Sequence, residues 1–200
     1  MIIVTTFNGA QVEPWLDAVA ALRIAVFRDW PYLYAGDRGY EKQYLATYAK
    51  SAGCLFVLAF DGERVIGAST AIPLADETAA FQQPFRERGI ALGDVFYFGE
   101  SVLLREYRGH GLGHRFFDER EAHARRLGGF ALTAFCAVER DAGDPRRPSG
   151  HRDNDAFWIK RGYARQDDMF CELGWQEIGA ARPDSHRLRF WLRPLPQSPP

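Results

Sequence analysis

The chain has 200 residues, of which 46% are hydrophobic and 26% charged, and its formal net charge at pH 7 is −1. This length and composition predict one domain, over residues 1–195, with a sizeable core. The small net charge argues against nucleic acid or an anionic membrane as the main partner, and the apolar stretch over residues 2–7 is too short for a signal peptide or a membrane span.

The first half of the sequence alternates between helix-like and strand-like patterns. Helices are predicted over residues 13–28 and 40–51, where apolar residues recur at helical spacing. Strands are predicted over residues 2–7, 54–60 and 65–72, and the Asp61-Gly62 pair between the last two predicts a hairpin.

Five aromatic side chains are the first candidates for a functional role. Trp30, Tyr32 and Tyr34 lie in a loop between the two predicted helices, and Phe81 and Phe85 lie four residues apart in a short helix predicted further along. These rings either wall a substrate pocket or pack the helices onto the sheet. The sequence leaves both interpretations open, so all five are candidate substrate-binding residues.

The most informative stretch is an apolar strand predicted over residues 96–104, a turn over residues 108–114 (Arg-Gly-His-Gly-Leu-Gly-His) and a helix over residues 112–127. The strand composition is typical of a strand covered on both faces. Three alternating glycines permit backbone angles that a Cβ forbids. They also leave main-chain N–H groups uncovered at a helix N-terminus, where the helix dipole adds positive charge. This arrangement predicts a phosphate-binding site.

Two common phosphate-binding motifs do not fit this turn. The dinucleotide fingerprint needs G-x-G-x-x-G after the first strand, whereas Gly109, Gly111, Gly113 and then His114 follow a strand in the middle of the chain. A nucleoside-triphosphate loop needs Gly-Lys-Ser/Thr, and no lysine follows these glycines. A glycine turn without a ligand is the remaining alternative, although alternating glycines reduce the stability of a helix or strand.

The second half of the chain continues the alternation. It predicts a strand over residues 130–138, an arginine-rich loop over 139–153, a short helix through Arg161, and strands over 165–173 and 187–193. The proline-rich end, residues 196–200, is predicted to be a disordered tail.

The three cysteines, Cys54, Cys136 and Cys171, are widely spaced in apolar surroundings. This favours buried free thiols in a reducing cytoplasm over a disulfide, and no spacing identifies a histidine partner for a catalytic thiol. Cys136, inside a predicted strand, is also a candidate substrate-binding residue.

The pattern Arg108-x-x-Gly111-x-Gly113 after an apolar strand resembles the cofactor turn of the GNAT acetyltransferase superfamily. The resemblance implies an α/β (α+β) fold in one GNAT-type domain, with a mixed sheet of about six to seven strands flanked by helices and splayed at its central parallel pair. It also implies acetyl-CoA as co-substrate, with the pyrophosphate on the turn and the pantetheine arm along the preceding strand. The cofactor-binding residues that it implies are Ser101, Val102, Leu103, Arg108, Gly109, His110, Gly111, Leu112, Gly113, His114 and Asn154.

Acyl transfer from a thioester needs a group that takes the proton of the attacking amine. Glu100 is the ionisable residue of the apolar run 95–104, where burial would raise its pKa toward that of a general base. The alternative is a structural carboxylate paired with an arginine, for example one from residues 146–152. Tyr97 is a second candidate, for orienting the acceptor, and Gly99 is the expected position of the bulge that splays the strand.

Trp158 stands where the last helix of the family often carries a proton-donating tyrosine. An indole N–H is not an acid of useful pKa, so Trp158 either hydrogen-bonds the thioester sulfur or walls the pocket.

The sequence therefore predicts a cytoplasmic acetyl-CoA-dependent N-acetyltransferase that works by direct attack in a ternary complex. The expected acceptor is a small-molecule or peptide amine, and a homodimer is a possibility that the family offers. No metal is expected, because the i, i+4 pairs His114/Asp118 and Glu119/His123 have no third ligand in register. The alternative is a catalytically inactive GNAT-like domain that binds acyl-CoA as a sensor or scaffold.

Overall fold

The computed structural model describes residues 1–196. Within them, seven strands form one mixed sheet and five α-helices cover its two faces. The strands are β1 (Ile2–Phe7), β2 (Leu55–Asp61), β3 (Arg64–Pro73), β4 (Val95–Leu103), β5 (Leu132–Val138), β6 (Ala164–Trp175) and β7 (Asp184–Pro194). The helices are α1 (Leu16–Phe27), α2 (Arg38–Lys50), α3 (Ala79–Glu87), α4 (Leu112–Leu127) and α5 (Asp155–Lys160).

The strands lie in the order β1-β2-β3-β4-β5-β7-β6, and every neighbouring pair is antiparallel except β4 and β5. The parallel pair is short. Residues 95–97 of β4 pair with residues 132–134 of β5, and the two strands then separate. The predicted class, a mixed sheet splayed at its central parallel pair and flanked by helices, is confirmed.

Each face of the sheet has its own hydrophobic core. On one face α1, α2 and α3 bury residues such as Val19, Tyr48 and Phe85 against the sheet. On the other face α4 buries Leu112 and Phe116, and α5 packs its aromatic residues at the edge of the same cluster. Because side chains alternate along β4, this strand contributes to both cores.

Most predicted boundaries agree with the structure to within three residues. The helix predicted over residues 13–28 is wrong at its start, because a 3-10 helix, Gly9–Trp15, precedes α1. Pro14 has no N–H to donate, so the regular α-helical pattern begins after it. Helix α2 begins earlier than predicted, at Arg38, because the Asp37 carboxylate accepts a hydrogen bond from the N–H of Tyr40 at 2.9 Å.

Other differences arise from tertiary contacts. Strand β7 begins at Asp184, before the predicted residue 187, because β6 supplies partners for its polar first residues. Leu127, the last residue of α4, is 46% exposed although it is apolar. The predicted disordered tail lies outside the described residues except for Pro196.

Candidate active site

The glycine turn before α4 is open on its outer side. Gly109 and Gly111 have φ values of +84° and +80°, and a Cβ built on either residue would have no atom within 4 Å. Among residues 1–196, no acceptor contacts the main-chain N–H groups of Gly109, His110 or Gly111. The N–H of Arg115 makes the first bond of the helix, to the Gly111 carbonyl at 3.2 Å. The turn therefore presents a row of uncovered N–H groups to an anion.

The side chains around this turn add basic groups. The Arg108 Nε donates to the Leu103 carbonyl at 3.2 Å, which fixes the end of β4 against the turn. His110 and His114 are exposed beside the same N–H groups, and the His114 ring lies 4.8 Å from that of Phe157 on α5. Leu112 differs from the other predicted cofactor-binding residues of the turn, because its side chain is buried in the core.

The strands β4 and β5 separate on the side of the sheet near the turn, and the opening between them is called the slot below. Beyond Tyr97, β4 keeps β3 as its neighbour but no longer pairs with β5. Ser101, Val102 and Leu103, the predicted pantetheine contacts, lie on this separated part of β4. The expected bulge is present, since two residues of β4, Gly99 and Glu100, lie opposite Thr70 alone on β3.

Gly99 is required at the bulge for a steric reason. A Cβ there would lie well inside van der Waals contact with the Tyr48 hydroxyl and with the Thr70 side chain. Only a residue without a side chain leaves room for the Tyr48 hydroxyl beside β4.

Arg120 holds the bulge from the α4 side and was missed by the sequence analysis. Its side chain is 1% exposed and donates to the Glu100 carbonyl at 3.2 Å and to the Ser101 Oγ at 2.9 Å. Burial lowers its pKa to about 10, so the guanidinium stays charged at neutral pH. A signal was available, because residues 112, 116, 120 and 124 share one face of the helix and the other three are apolar.

A cavity opens on the opposite face of the sheet from α4. It contains about 630 Å³ of empty space, part of which is open to solvent. The lining residues come from α1, α2, α3, the aromatic loop and strands β4 to β7, and most of them are aromatic or apolar: Arg23, Phe27, Tyr32, Tyr34, Tyr40, Glu41, Tyr44, Phe81, Tyr97, Gly99, Glu100, Cys136, Leu173, Trp175 and Leu188.

Three charged side chains meet in this cavity. The Arg23 guanidinium contacts Glu41 through its Nε and lies 2.5 Å from Glu100 Oε2 through Nη1. The side chains of Arg23, Glu41 and Glu100 are 7%, 1% and 5% exposed. Glu100 Oε1 is buried and has no hydrogen-bond partner among the described residues. One guanidinium therefore faces two carboxylates, and one carboxylate oxygen is left without a partner among the described residues.

The titration of this cluster reflects its burial and its charges. Burial disfavours the charged form of Arg23, but the neighbouring Glu100 and Glu41 carboxylates outweigh it and hold the pKa of Arg23 well above its usual value. Burial raises the pKa of Glu41, and the charge of Arg23 offsets part of that rise. Burial also raises the pKa of Tyr97 well above its usual value, with the Cys136 thiol as the next cause.

The structure brings some of the predicted substrate-binding residues together and separates others. Tyr32, Tyr34, Phe81 and Cys136 line the cavity, and the Tyr97 hydroxyl lies 3.1 Å from Cys136 Sγ.

Phe85 and Trp30 lie elsewhere. The Phe85 side chain is fully buried, with its ring 5.1 Å from that of Phe190. Trp30 packs outside the cavity, beneath the guanidinium of Arg140 and 6.2 Å from the His151 ring.

Glu100 is paired with an arginine, but not with one from residues 146–152. Its partner Arg23 lies on α1, where a lone arginine among apolar residues gave a signal that the sequence analysis did not use. Tyr44 was also missed. It follows Glu41 by three residues, and its hydroxyl lies 3.3 Å from Glu100 Oε2.

Trp158 and Asn154 lie on the α4 side of the sheet. The Trp158 ring packs against those of Phe135 and Trp191, at 5.0 Å and 5.1 Å. Asn154 is exposed at the N-terminus of α5. This packing makes Trp158 part of the aromatic wall behind the slot.

The i, i+4 pairs on α4 are engaged with protein groups. Arg161 donates to Asp118 at 2.7 Å and lies 3.3 Å from His114 Nδ1, while His123 Nε2 lies 3.1 Å from the Gly53 carbonyl. Within residues 1–196, no group of three or more His, Cys, Asp and Glu side chains is placed to hold a metal ion. None of the helices described is both long enough and apolar enough to cross a membrane.

Comparison of the sequence with protein-family models gives a match. A family model described as Acetyltransferase (GNAT) family matches residues 20–145, more than half of the chain. A search of curated protein sequences gave no match.

Solved structures share the fold at low identity. A ribosomal-protein-alanine N-acetyltransferase from Brucella melitensis has a TM-score of 0.61 at 15% identity, over 96% of this chain and 99% of its own. A polyamine N-acetyltransferase of Drosophila melanogaster has a TM-score of 0.59 at 13% identity, over 98% of this chain and 100% of its own. An aminoglycoside 6′-N-acetyltransferase complexed with coenzyme A has a TM-score of 0.58 at 14% identity, over 99% of each chain.

Proposed function

The chain belongs to the GNAT acetyltransferase family, and we propose that it transfers an acetyl group from acetyl-CoA to a primary amine by direct attack in a ternary complex. The observation that carries this proposal is how two features lie along one strand. An open turn of main-chain N–H groups follows the part of β4 that has separated from β5, and Glu100 on that part lines a cavity with one carboxylate oxygen unpartnered among the described residues.

The turn and the slot suit the two halves of the cofactor. The uncovered N–H groups of residues 109–114 would hold the pyrophosphate, with Arg108, His110 and His114 beside it. The separated stretch of β4 at Ser101, Val102 and Leu103 would hold the pantetheine arm, with Asn154 across the slot. Bound acetyl-CoA supplies the acetyl group as an activated thioester.

Glu100 would act as the general base. Its free Oε1 can accept an N–H of the acceptor, while Oε2 is held by Arg23. The ionised carboxylate is the form that takes a proton. Tyr97, which lines the same cavity, would orient the acceptor beside it.

The charge and shape of the cavity support a compact cationic acceptor. Two carboxylates and one guanidinium leave a net negative charge when all three are ionised, and this charge attracts an ammonium group. The rings of Tyr32, Tyr44 and Trp175 provide apolar and cation–π contacts for the body of the amine. A small aliphatic or aromatic primary amine fits these walls better than a polyanionic substrate, and the N-terminus of a peptide is the alternative acceptor of the same chemistry.

We assign no proton transfer to Trp158. Its indole packs against two aromatic rings and would wall the slot. The departing thiolate is a good leaving group and can leave without a proton from this position.

We place the reaction in the cytoplasm, as the sequence predicts. Cys54, Cys136 and Cys171 are free thiols, which is the usual state of cysteines in a reducing compartment.

The test is thiol release from acetyl-CoA against a panel of amines: monoamines with alkyl and aryl groups, polyamines, amino acids, aminoglycosides and peptides with free N-termini. We expect thiol release with compact primary monoamines and a mass increase of one acetyl group on the amine. Binding of acetyl-CoA without turnover on any amine would contradict the transferase and favour the acyl-CoA sensor, the alternative that Trp158 keeps open.

A further inference from the structure

Glu100 must lose the proton that it takes from each acceptor. Its side chain is 5% exposed and lines the cavity that the acceptor would occupy, and its Oε1 has no partner among the described residues. A bound product therefore separates this carboxyl from bulk water on the cavity side, and the structure offers another route.

A chain of hydrogen bonds leads from Glu100 into the protein. Glu100 Oε2 lies 3.3 Å from the Tyr44 hydroxyl, which lies 3.1 Å from the Tyr48 hydroxyl. The Tyr48 hydroxyl donates to Glu77 Oε1 at 2.6 Å. Tyr44 has one hydroxyl proton and two acceptors for it, Glu100 and Tyr48, so it can donate in either direction.

The far end of the chain lies close to the surface. Glu77 is 5% exposed, but its neighbours Asp76 and Thr78 are exposed. The N–H of Thr78 donates to Glu77 Oε2 at 2.5 Å, which fixes the carboxylate at the end of β3.

We propose that Tyr44 and Tyr48 relay the proton from Glu100 to Glu77, an inference that rests on the proposed function of Glu100. The amine N–H bond breaks as an O–H bond forms on Glu100. Because this O–H forms on Oε1 and Tyr44 lies beside Oε2, the neutral carboxyl group must rotate to bring its O–H to the Tyr44 oxygen. Glu100 then donates to Tyr44, Tyr44 to the Tyr48 oxygen, and Tyr48 to Glu77 Oε1. Glu100 ends as a carboxylate, Glu77 as a carboxylic acid and both tyrosines as neutral phenols. Glu77 then gives the proton to water, and the two hydroxyls rotate back.

The surrounding groups support this direction. Burial raises the pKa of Glu77, although hydrogen bonds from Tyr48 and Thr78 oppose the rise, so this carboxyl can hold a proton in passing. Burial raises the pKa of Tyr44 and Tyr48 well above the usual value, and both therefore act as neutral hydroxyls.

The charged groups differ at the two ends of the relay. Arg23 contacts both Glu100 and Glu41. At the other end no cation contacts Glu77 in the described part of the chain, and its hydrogen-bond donors are Tyr48 and Thr78.

The test measures kcat of Tyr48→Phe and Glu77→Gln in the full chain, with saturating acetyl-CoA and an accepted amine. The readings are taken in dilute buffer and with increasing imidazole, a small proton acceptor. Tyr163→Phe is the matched control, because it removes the hydroxyl of another buried tyrosine, which bonds Thr133 at 3.0 Å. We expect kcat of both relay variants to fall about tenfold or more in dilute buffer, with KM unchanged, and to recover with imidazole.

The control variant is expected to have the kcat of the wild type. Neither the control nor the wild type is expected to depend on imidazole. Wild-type kcat in Tyr48→Phe, or a loss that imidazole does not restore, would overturn the relay. If Glu100→Gln abolishes turnover while Tyr48→Phe does not, the relay alone fails. If the wild type acetylates no amine, the proposed function fails and the relay fails with it.

Discussion

At the scale of single residues, Glu100 is a buried side chain with one oxygen that has no hydrogen-bond partner among the described residues. Arg23 compensates its charge, but the same guanidinium also serves Glu41, and Glu100 Oε1 keeps no protein partner among the described residues. A purely structural ion pair would be expected to satisfy its oxygens, because an unpaired buried acceptor costs stability. The unused oxygen is consistent with a role toward a ligand.

Replacing Glu100 by glutamine tests that role. The amide keeps the shape but cannot take a proton at neutral pH, and Arg23 retains Glu41, so the fold should persist. We expect kcat to fall about 10²–10⁴-fold with the Kd for acetyl-CoA unchanged, measured by thiol release and calorimetry. Glu63→Gln, at an exposed position in the β2–β3 hairpin, is the control. Wild-type turnover of Glu100→Gln across the pH range would exclude Glu100 as the base.

The residue scale also shows what the sequence could and could not predict. Glu100 stood out because it is the acid in an apolar run, and the alternating glycines stood out because they are rare in a helix start. Its partner was not predicted: Arg23 is a lone arginine in an apolar helix, but it is 77 positions away and the loop arginines were equally plausible partners. Arg120 was missed for a related reason: an arginine on a helix is normally solvated, and its burial depends on carbonyls of β3 and β4.

At the scale of elements, the cavity depends on how its aromatic loop is held. Arg140 donates to the carbonyls of Pro31 and Tyr32 at 2.6 Å and 3.0 Å, and the Trp175 indole N–H also donates to Tyr32 at 3.0 Å. Glu177 in turn lies 2.5 Å from Arg140 and also contacts Arg146. Loops that are distant in the sequence are thus joined around one carboxylate.

The contribution of the Glu177 ion pairs to stability depends on pH in a defined direction. Burial acts to raise the pKa of Glu177, but the hydrogen bonds and charges of Arg146 and Arg140 outweigh it and lower the pKa. A carboxyl whose pKa is lower in the folded state contributes stability above its unfolded pKa, about 4.3, and loses it as the pH falls through the folded value.

We therefore expect Glu177→Gln to reduce the free energy of unfolding by about 1 kcal/mol at pH 7, which lowers Tm by about 2–4 °C. The difference from the wild type should shrink as the pH falls below about 4. Thermal unfolding of both proteins from pH 3 to pH 8 measures it. A difference that is equal at all pH values would show that the ion pairs of Glu177 do not stabilise the loops.

At the scale of the whole molecule, the fold places two sites on opposite faces of one sheet. The turn before α4 and the aromatic wall of α5 lie on one face, and the charged cavity lies on the other. They meet where β4 leaves β5, and the bulge at Gly99 and Glu100 marks that point. Under the proposed function, the cofactor and the acceptor would approach each other at this split in the sheet.

The order of elements along the chain was predictable from hydrophobic periodicity. The family resemblance predicted that the strands form a mixed sheet splayed at its central parallel pair. The cavity was not predictable in the same way. Its walls come from α1, α2, α3 and four strands that are far apart in the sequence, so only tertiary packing determines which of the aromatic residues face it. Tyr34 and Phe85 illustrate this, because both were candidates and only Tyr34 lines the cavity.

The central claim is that the open N–H groups of the turn bind the diphosphate of acetyl-CoA. Calorimetric titration of acetyl-CoA into the wild type, Gly111→Glu and Gly62→Glu tests it most directly. Both glycines have positive φ and open surroundings, so both substitutions carry a similar backbone cost of about 1–2 kcal/mol, but only Gly111 lies at the turn. We predict binding to the wild type and Gly62→Glu and no detectable binding to Gly111→Glu. Equal affinity in all three proteins would contradict the account.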